Sequence, residues 1–133
     1  MVHALGKTLM ELFTSKPFYR SIKVRGDEHL GAPRTLYISN HADIVREAGL
    51  INYVLHRRGL PLAAIVVGDN LYENIFTRSF MRLFPTIPVP RGPGSGLVVG
   101  QRVERVLGEG RAVWLAQNRG RSKDGRNVTE PAI

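Results

Sequence analysis

The stretch Leu62-Ala63-Ala64-Ile65-Val66-Val67 is almost wholly apolar and has the length of a single β-strand. An uninterrupted apolar run of this length is typical of a strand that is buried on both faces of a parallel sheet. Parallel strands need crossover connections, and these are usually helices. The run therefore predicts an α/β domain in which helices precede and follow this strand.

The segment before the run has the spacing of an amphipathic helix. Apolar residues at Ile44, Ala48, Ile51 and Leu55 recur at steps of four, three and four, so they share one helix face. The turn Gly59-Leu60-Pro61 ends this helix because proline cannot continue it.

Further strands and helices are predicted to alternate along the chain. The predicted strands are residues 21–25, 34–39, 62–67, 86–89 and 112–116, and two later helices are predicted at residues 72–83 and 97–107. The prolines in 86–89 indicate an edge or irregular strand. This order predicts an α/β fold, with an alternating strand–helix sheet and right-handed crossovers.

Two domain segments are expected within the 133 residues. Residues 1–16 are predicted to form an N-terminal amphipathic helix, since Leu5, Leu9 and Leu12 lie at helical spacing and Pro17 follows. This helix either packs on the domain or lies on a membrane surface. Residues 17–133 are predicted to form the α/β domain, a size that suits one compact unit.

The composition limits the classes of function. The net charge of +8 and the pI near 10.6 favour anionic partners, such as nucleic acid, phospholipid head groups, phosphorylated metabolites or an acidic carrier protein. The absence of cysteine excludes a disulfide framework, a Cys zinc site and a Cys nucleophile. No apolar run approaches the roughly 18–20 residues that span a bilayer.

A basic patch near the end of the chain raises the question of nucleic-acid binding. Arg119, Arg121, Lys123 and Arg126 form this patch, and Trp114 is the only aromatic residue near it. Because nucleic-acid binding needs stacking platforms or a recognition helix as well as charge, we do not expect a nucleic-acid partner.

Polar residues cluster where the predicted strands end, which is where α/β sheets bind ligands. These clusters are residues 40–47, 68–71, 91–96 and 117–125. In the first cluster, His41 follows a strand, and Asp43 and Glu47 come two and six positions later. A neutral imidazole is the usual general base near pH 7. A helix-capping or surface histidine is the alternative interpretation.

The loop Arg91-Gly92-Pro93-Gly94-Ser95-Gly96 joins a predicted strand to a predicted helix. Small residues let backbone N–H groups approach an anion, and the start of a helix adds a favourable partial charge. Arg91 could hold a phosphate through two hydrogen bonds. A flexible loop is the alternative. The loop matches neither the P-loop nor a Gly-x-Ser-x-Gly nucleophile turn, so a serine hydrolase is not supported.

Four segments in this order resemble the bacterial phospholipid/glycerol acyltransferase family, whose members include 1-acyl-glycerol-3-phosphate acyltransferases. The segments are residues 37–47 (Tyr-Ile-Ser-Asn-His-Ala-Asp-Ile-Val-Arg-Glu), 67–71 (Val-Gly-Asp-Asn-Leu), 87–92 (Ile-Pro-Val-Pro-Arg-Gly) and 113–125. The resemblance spans roughly residues 20–131 and implies an α/β sheet of the glycerolipid acyltransferase type.

The resemblance also implies a reaction, its substrates and its site. A fatty acyl group would move from an acyl-CoA or acyl-carrier-protein thioester to a hydroxyl of glycerol phosphate or lysophosphatidic acid, with no metal or cofactor. His41 would be the general base, oriented by an acid shortly after it, and Arg91 would bind the phosphate. The other substrate-binding residues expected are Asn40, Gly92, Arg119, Gly120 and Arg121. The protein would work peripherally at the cytoplasmic face of an anionic membrane.

The chain departs from the family pattern in four places. Ala42 follows His41, where the family often has Arg. Arg46 stands at the fifth position after His41, where the family has Asp, so Glu47 is expected to partner His41, with Asp43 in reserve. Arg119 stands where the family has Glu. Family members also continue beyond the point where this chain stops, so the domain is expected to be C-terminally incomplete. These departures leave an alternative: a catalytically weakened relative that binds phospholipid or acyl-carrier protein without turnover.

Overall fold

The structure, a computed structural model, describes Thr8, residues 20–40 and residues 46–116, apart from the side chain of Phe80. Strands and helices alternate through this part of the chain, which confirms the predicted α/β class. In chain order they are β1 (Leu36–Ser39), α1 (Arg46–Arg57), β2 (Ala64–Gly68), α2 (Ile75–Met81), β3 (Thr86–Val89), α3 (Ser95–Gly108) and β4 (Val113–Ala116). Two 3₁₀ turns, Asp27–His29 and Asp69–Tyr72, precede β1 and α2. Apart from Thr8, the predicted N-terminal helix lies outside the described residues.

The four strands form one parallel sheet in the order β1-β4-β2-β3. The last strand of the four, β4, therefore lies between β1 and β2. Ser39 pairs with Ala116, and Gly68 pairs with Val89. Because all pairs are parallel, the carboxyl ends of the four strands lie at one edge of the sheet, which is called the carboxyl edge below.

Helices cover both faces of the sheet. On one face, residues of α1 and α2 pack with β2 and Trp114, and this layer comprises Ala48, Leu55, Ala63, Ile65, Val67 and Trp114, with Met81 at its border. On the other face α3 packs alone, and that layer comprises Ala64, Ile87, Val89, Val99, Val103, Val106, Val113 and Leu115. Alternate residues of β2 enter the two layers, which confirms that this strand is buried on both faces.

Side chains, rather than another strand of the described sheet, make hydrogen bonds to the outer side of the edge strand β3. Ile65 N donates to Pro85 O at 2.8 Å. Backbone hydrogen-bonding groups alternate in direction along a strand, so the backbone groups of Thr86 and Pro88 point away from β2. Proline lacks an N–H group and is tolerated at such an outward position. The Pro88 carbonyl accepts a hydrogen bond from Arg102 of α3, and the Thr86 hydroxyl is hydrogen-bonded to that of Tyr72. The prediction of an edge strand is confirmed.

The predicted strand at residues 21–25 is wrong. These residues pair with no strand of the described sheet, and Ile22 alone among them is half-buried. A strand is stabilised by a neighbour and by a buried face, and this segment has neither. The strand predicted at 34–39 begins only at Leu36, because Arg34 has a left-handed φ of 58°.

The helix predicted at residues 72–83 is shorter than expected. Residues Asp69–Tyr72 form a 3₁₀ turn, and α2 spans only Ile75–Met81. The Asn74 side chain fixes the start of α2 by accepting a hydrogen bond from Phe76 N at 2.8 Å. The helix predicted at residues 97–107 is longer than expected, since α3 begins at Ser95.

Asn52 is the only buried polar residue among the described residues, with 0% of its surface exposed. Its side chain joins α1 to the segment that leads into β2. Oδ1 accepts from Ala63 N at 2.8 Å, and Nδ2 donates to Ala63 O at 3.3 Å and to Ala48 O at 3.2 Å. The amide thus satisfies both backbone groups of Ala63 where that segment passes under the helix.

Replacing Asn52 by Leu is expected to lower the free energy of unfolding by about 2–5 kcal/mol. The substitution leaves the buried N–H and C=O of Ala63 without partners, at about 1–3 kcal/mol each. Urea denaturation measures the change. Asn52→Asp is the matched variant: it keeps the volume and the acceptor but places a carboxylate oxygen against two carbonyl oxygens, so it should also destabilise at neutral pH. A loss below about 1 kcal/mol in both variants would contradict this role.

Candidate functional site

The topology favours a ligand-binding crevice at the carboxyl edge between β2 and β3. The chain leaves β2 toward α2 on one face of the sheet and leaves β3 toward α3 on the other. Adjacent parallel strands whose connections leave on opposite faces create a crevice outside their carboxyl ends, and α/β proteins bind ligands there. The loop that follows Gly68 and the loop that begins at Arg91 form its two sides.

The side chain of Arg91 lies across Gly68 in this crevice. A Cβ atom placed on Gly68 would lie 3.2 Å from Arg91 Nε, 3.4 Å from Arg91 Cδ and 2.6 Å from Asn70 Oδ1. The φ and ψ of Gly68, −64° and 140°, suit any residue. Glycine is therefore required here by the close approach of two side chains and not by the backbone conformation.

This contact directs Arg91 toward the interior of the sheet. Arg91 follows β3 at one edge of the sheet, and Gly68 ends the neighbouring strand β2. The ends of β1 and β3 are three strand spacings apart, about 14 Å. By reaching over β2, the guanidinium group shortens the gap to the loop after β1 to about two spacings, roughly 10 Å.

The turn between Arg91 and α3 depends on two glycines. Gly92 has a φ of 131° and Gly94 a φ of 78°, and added Cβ atoms would meet nothing within 4 Å at either position. Their role is conformational, since side chains rarely adopt such angles. Ser95 N donates to Gly92 O at 3.2 Å, and α3 begins at Ser95 directly behind Arg91. The positive end of the α3 dipole therefore lies at the same edge of the sheet as the loop that begins with Arg91.

The other half of the predicted site follows β1. Asn40 is exposed there, and its carbonyl accepts a hydrogen bond from Ser39 Oγ at 2.9 Å. Glu47 is half-buried in the first turn of α1, and Arg46 is exposed. His41 and Asp43 lie outside the described residues, so the pairing of His41 with Glu47, or with Asp43 in reserve, stays a prediction.

The predicted fourth cluster, residues 117–125, also lies outside the described residues, and it includes Arg119, Gly120 and Arg121. The structure does show where the chain leaves the sheet before this cluster. Ala116 ends β4, which lies between β1 and β2, so the chain leaves the sheet between the ends of these two strands. Trp114 is only 2% exposed within the core layer of α1, so it offers no stacking platform to a nucleic acid.

Sequence reasoning missed the roles of Gly68 and Asn70. Both lie in the segment Val67–Leu71 that carries the family resemblance, but they received no function there. The signal was present, because a glycine at the end of a Val- and Ile-rich strand often marks the close approach of another group. Which group approaches it depends on the neighbouring strand and could not be read from the sequence.

A comparison with protein families assigns the chain. The family model described as "Acyltransferase" matches residues 21–130, which include every described strand and both sides of the crevice. The chain belongs to the acyltransferase family. A search of curated proteins and a search of solved structures each gave no significant match. Among the described residues, no helix of this acyltransferase-family protein is long and apolar enough to cross a bilayer.

Gly68→Ala is expected to displace Arg91 while the fold survives. The new methyl group would overlap the Asn70 and Arg91 side chains, which can move, and would not overlap backbone atoms. In ¹⁵N NMR spectra the Arg91 Nε resonance, assigned by its loss in Arg91→Lys, should shift. The matched control is Gly100→Ala on α3, where a Cβ meets nothing within 4 Å. The control should leave that resonance in place and stabilise the helix by up to about 1 kcal/mol. An Arg91 resonance that is equally unchanged in both variants would refute the contact.

Proposed function

We propose that the chain transfers a fatty acyl group from an acyl thioester to a hydroxyl of glycerol phosphate or lysophosphatidic acid. Acyl-CoA or acyl-carrier protein would be the donor, and no metal or cofactor would take part. Membership of the acyltransferase family supports acyl transfer in general. The choice of a phosphorylated acceptor rests on the Arg91 crevice.

The position of Arg91 over Gly68 is the observation that carries this proposal. Arg91 is exposed at the carboxyl edge, its Nε atom lies close to Gly68 of the neighbouring strand, and the 14-residue helix α3 begins four residues after it in the chain. A planar guanidinium group binds phosphate through two parallel hydrogen bonds. Its placement suits an acceptor whose phosphate and reacting hydroxyl are held at separate points of one edge.

The proposed chemistry uses His41 as the general base. Its imidazole takes the proton of the acceptor hydroxyl while the hydroxyl oxygen attacks the thioester carbonyl carbon. The resulting tetrahedral intermediate breaks its C–S bond, and the imidazolium returns the proton to the departing thiolate. Glu47, or Asp43 in reserve, would orient the imidazole. The products are an ester and a free thiol, so no other reactant is consumed.

The protein is proposed to act peripherally at the cytoplasmic face of an anionic membrane. Nineteen Lys and Arg against eleven Asp and Glu support attraction to anionic lipid. Each basic side chain near such a surface contributes about 1 kcal/mol, within a Debye length of about 8–10 Å. A lysophosphatidic acid acceptor would be met at that surface.

His41→Ala is expected to lower acyl transfer by about 10²–10⁴-fold, the usual loss when a general base is removed. Release of free thiol from acyl-CoA in the presence of glycerol phosphate measures the rate. His29→Ala is the matched control, because His29 is largely exposed in the 3₁₀ turn before β1. Glu47→Gln and Asp43→Asn, assayed in parallel, identify the partner acid by the larger loss. Wild-type turnover by a folded His41→Ala protein would refute the assignment. A wild-type chain that binds substrates without releasing thiol would favour the catalytically weakened relative.

Arg91→Ala is expected to raise the KM for the phosphorylated acceptor by about 10–150-fold, with a smaller effect on the KM for the thioester donor. A hydrogen bond to a charged group contributes about 1.5–3 kcal/mol, and about 1.4 kcal/mol corresponds to a tenfold change. Arg105→Ala removes the same charge from the last turn of α3, away from the crevice, and serves as the control. A change confined to the donor KM would place the phosphate elsewhere.

A further inference from the structure

Three large apolar side chains are exposed where α2 and α3 begin. Ile75 is 69% exposed and Phe76 81% exposed in the first turn of α2, and Leu97 is 72% exposed in the first turn of α3. They are the three most exposed large hydrophobic residues among those described. These three residues are called the apolar rim below.

The topology places the apolar rim around the crevice. Both helices begin after loops that leave the carboxyl edge, and they run back along opposite faces of the sheet. Ile75 and Phe76 therefore lie on one side of the Arg91 crevice and Leu97 on the other. The Asn74 cap on Phe76 N fixes the first turn of α2, so the exposure of Phe76 belongs to a defined helix start.

The chain segment that carries the apolar rim is basic. Residues 69–102 contain four arginines (Arg78, Arg82, Arg91 and Arg102) against two acids (Asp69 and Glu73), within a chain of net charge +8. All four arginines are exposed. Apolar side chains next to exposed basic groups match the boundary of an anionic bilayer, where head groups meet acyl chains.

The separation of the two sides favours a bilayer over a protein partner. Layers on opposite faces of a sheet are roughly 20 Å apart, since packed layers lie about 10 Å from each other. Three side chains in two separate places are far fewer than the roughly 20–30 residues per side of a stable protein interface. A lipid surface, by contrast, contacts both sides of the crevice at once.

We propose that the apolar rim inserts into the surface of an anionic lipid bilayer and holds the mouth of the Arg91 crevice at the depth of the head groups. This surface is distinct from the predicted helix at residues 1–16. The inference rests on the proposed function in one respect, since it explains how a lipid acceptor reaches the crevice. Membrane binding itself needs no turnover, so it can be tested separately from acyl transfer.

Phe76→Trp turns the rim into a fluorescent probe of depth. Trp114, the only natural tryptophan, is 2% exposed in the core and provides a constant background. Vesicles of phosphatidylcholine with about one third phosphatidylglycerol, carrying brominated acyl chains, quench a tryptophan that enters the bilayer. We expect quenching and a blue shift for Phe76→Trp and neither for the wild type. Binding without quenching at position 76 would show attachment through another surface and overturn the proposal.

The double variant Phe76→Ser, Leu97→Ser should lower the partition coefficient to these vesicles at least about tenfold, since two exposed apolar side chains no longer enter the bilayer. Val24→Ser is the matched control, because Val24 is also exposed but lies before β1. Equal binding by both variants would overturn the proposal. So would a wild-type dimer in solution that the double variant abolishes, since a second copy would then occupy the rim.

The acylation of soluble glycerol phosphate by a short-chain acyl-CoA separates the two proposals. The double variant should retain this activity while losing vesicle binding, because neither residue lies in the proposed reaction site. If the wild type binds vesicles through the apolar rim but releases no thiol, the proposed membrane surface is supported and the proposed reaction is refuted.

Discussion

The pairing of β4 with both β1 and β2 is the interaction on which the rest of the structure depends. β1 and β2 follow each other in the chain but do not pair, and β4 joins them through Val113–Ala116 on one side and through Val113 and Trp114 on the other. Val113 is fully buried and belongs to the α3 layer, whereas Trp114 belongs to the layer of α1. One strand therefore links the two halves of the sheet and both core layers, and it brings the carboxyl ends of the strands to one edge.

Arg91 and Gly68 lie at that edge where the strand order reverses, since β3 follows β2 outward and β4 returns to the interior of the sheet. The connections from β2 and β3 leave on opposite faces, and the crevice between them is narrow enough for Arg91 to lie against a residue of the neighbouring strand. Gly68 makes this approach possible by lacking a side chain. An exposed arginine at the edge of the sheet is thereby turned toward the neighbouring strand.

The same reversal accounts for the apolar rim. Two helices that begin at one edge but on opposite faces present their first turns on the two sides of the crevice. If these first turns were polar, only polar groups would surround the crevice. Ile75, Phe76 and Leu97 instead place exposed apolar groups beside a basic region, a combination that suits the boundary of an anionic bilayer.

The sequence by itself determined the elements with strong local patterns. The apolar run before Gly68 predicted a strand buried on both faces, and the periodic spacing of Ala48 and Leu55 predicted α1. The prolines of 86–89 indicated an edge strand, and the polar clusters predicted a site at the carboxyl edge. The prediction of a strand at residues 21–25 was wrong because β propensity does not provide a partner strand. Only the tertiary structure decided that β4 enters between β1 and β2, that Arg91 lies over Gly68 and that the starts of α2 and α3 flank one crevice. Strand order and contacts between distant residues depend on long-range packing, so local sequence spacing does not predict them.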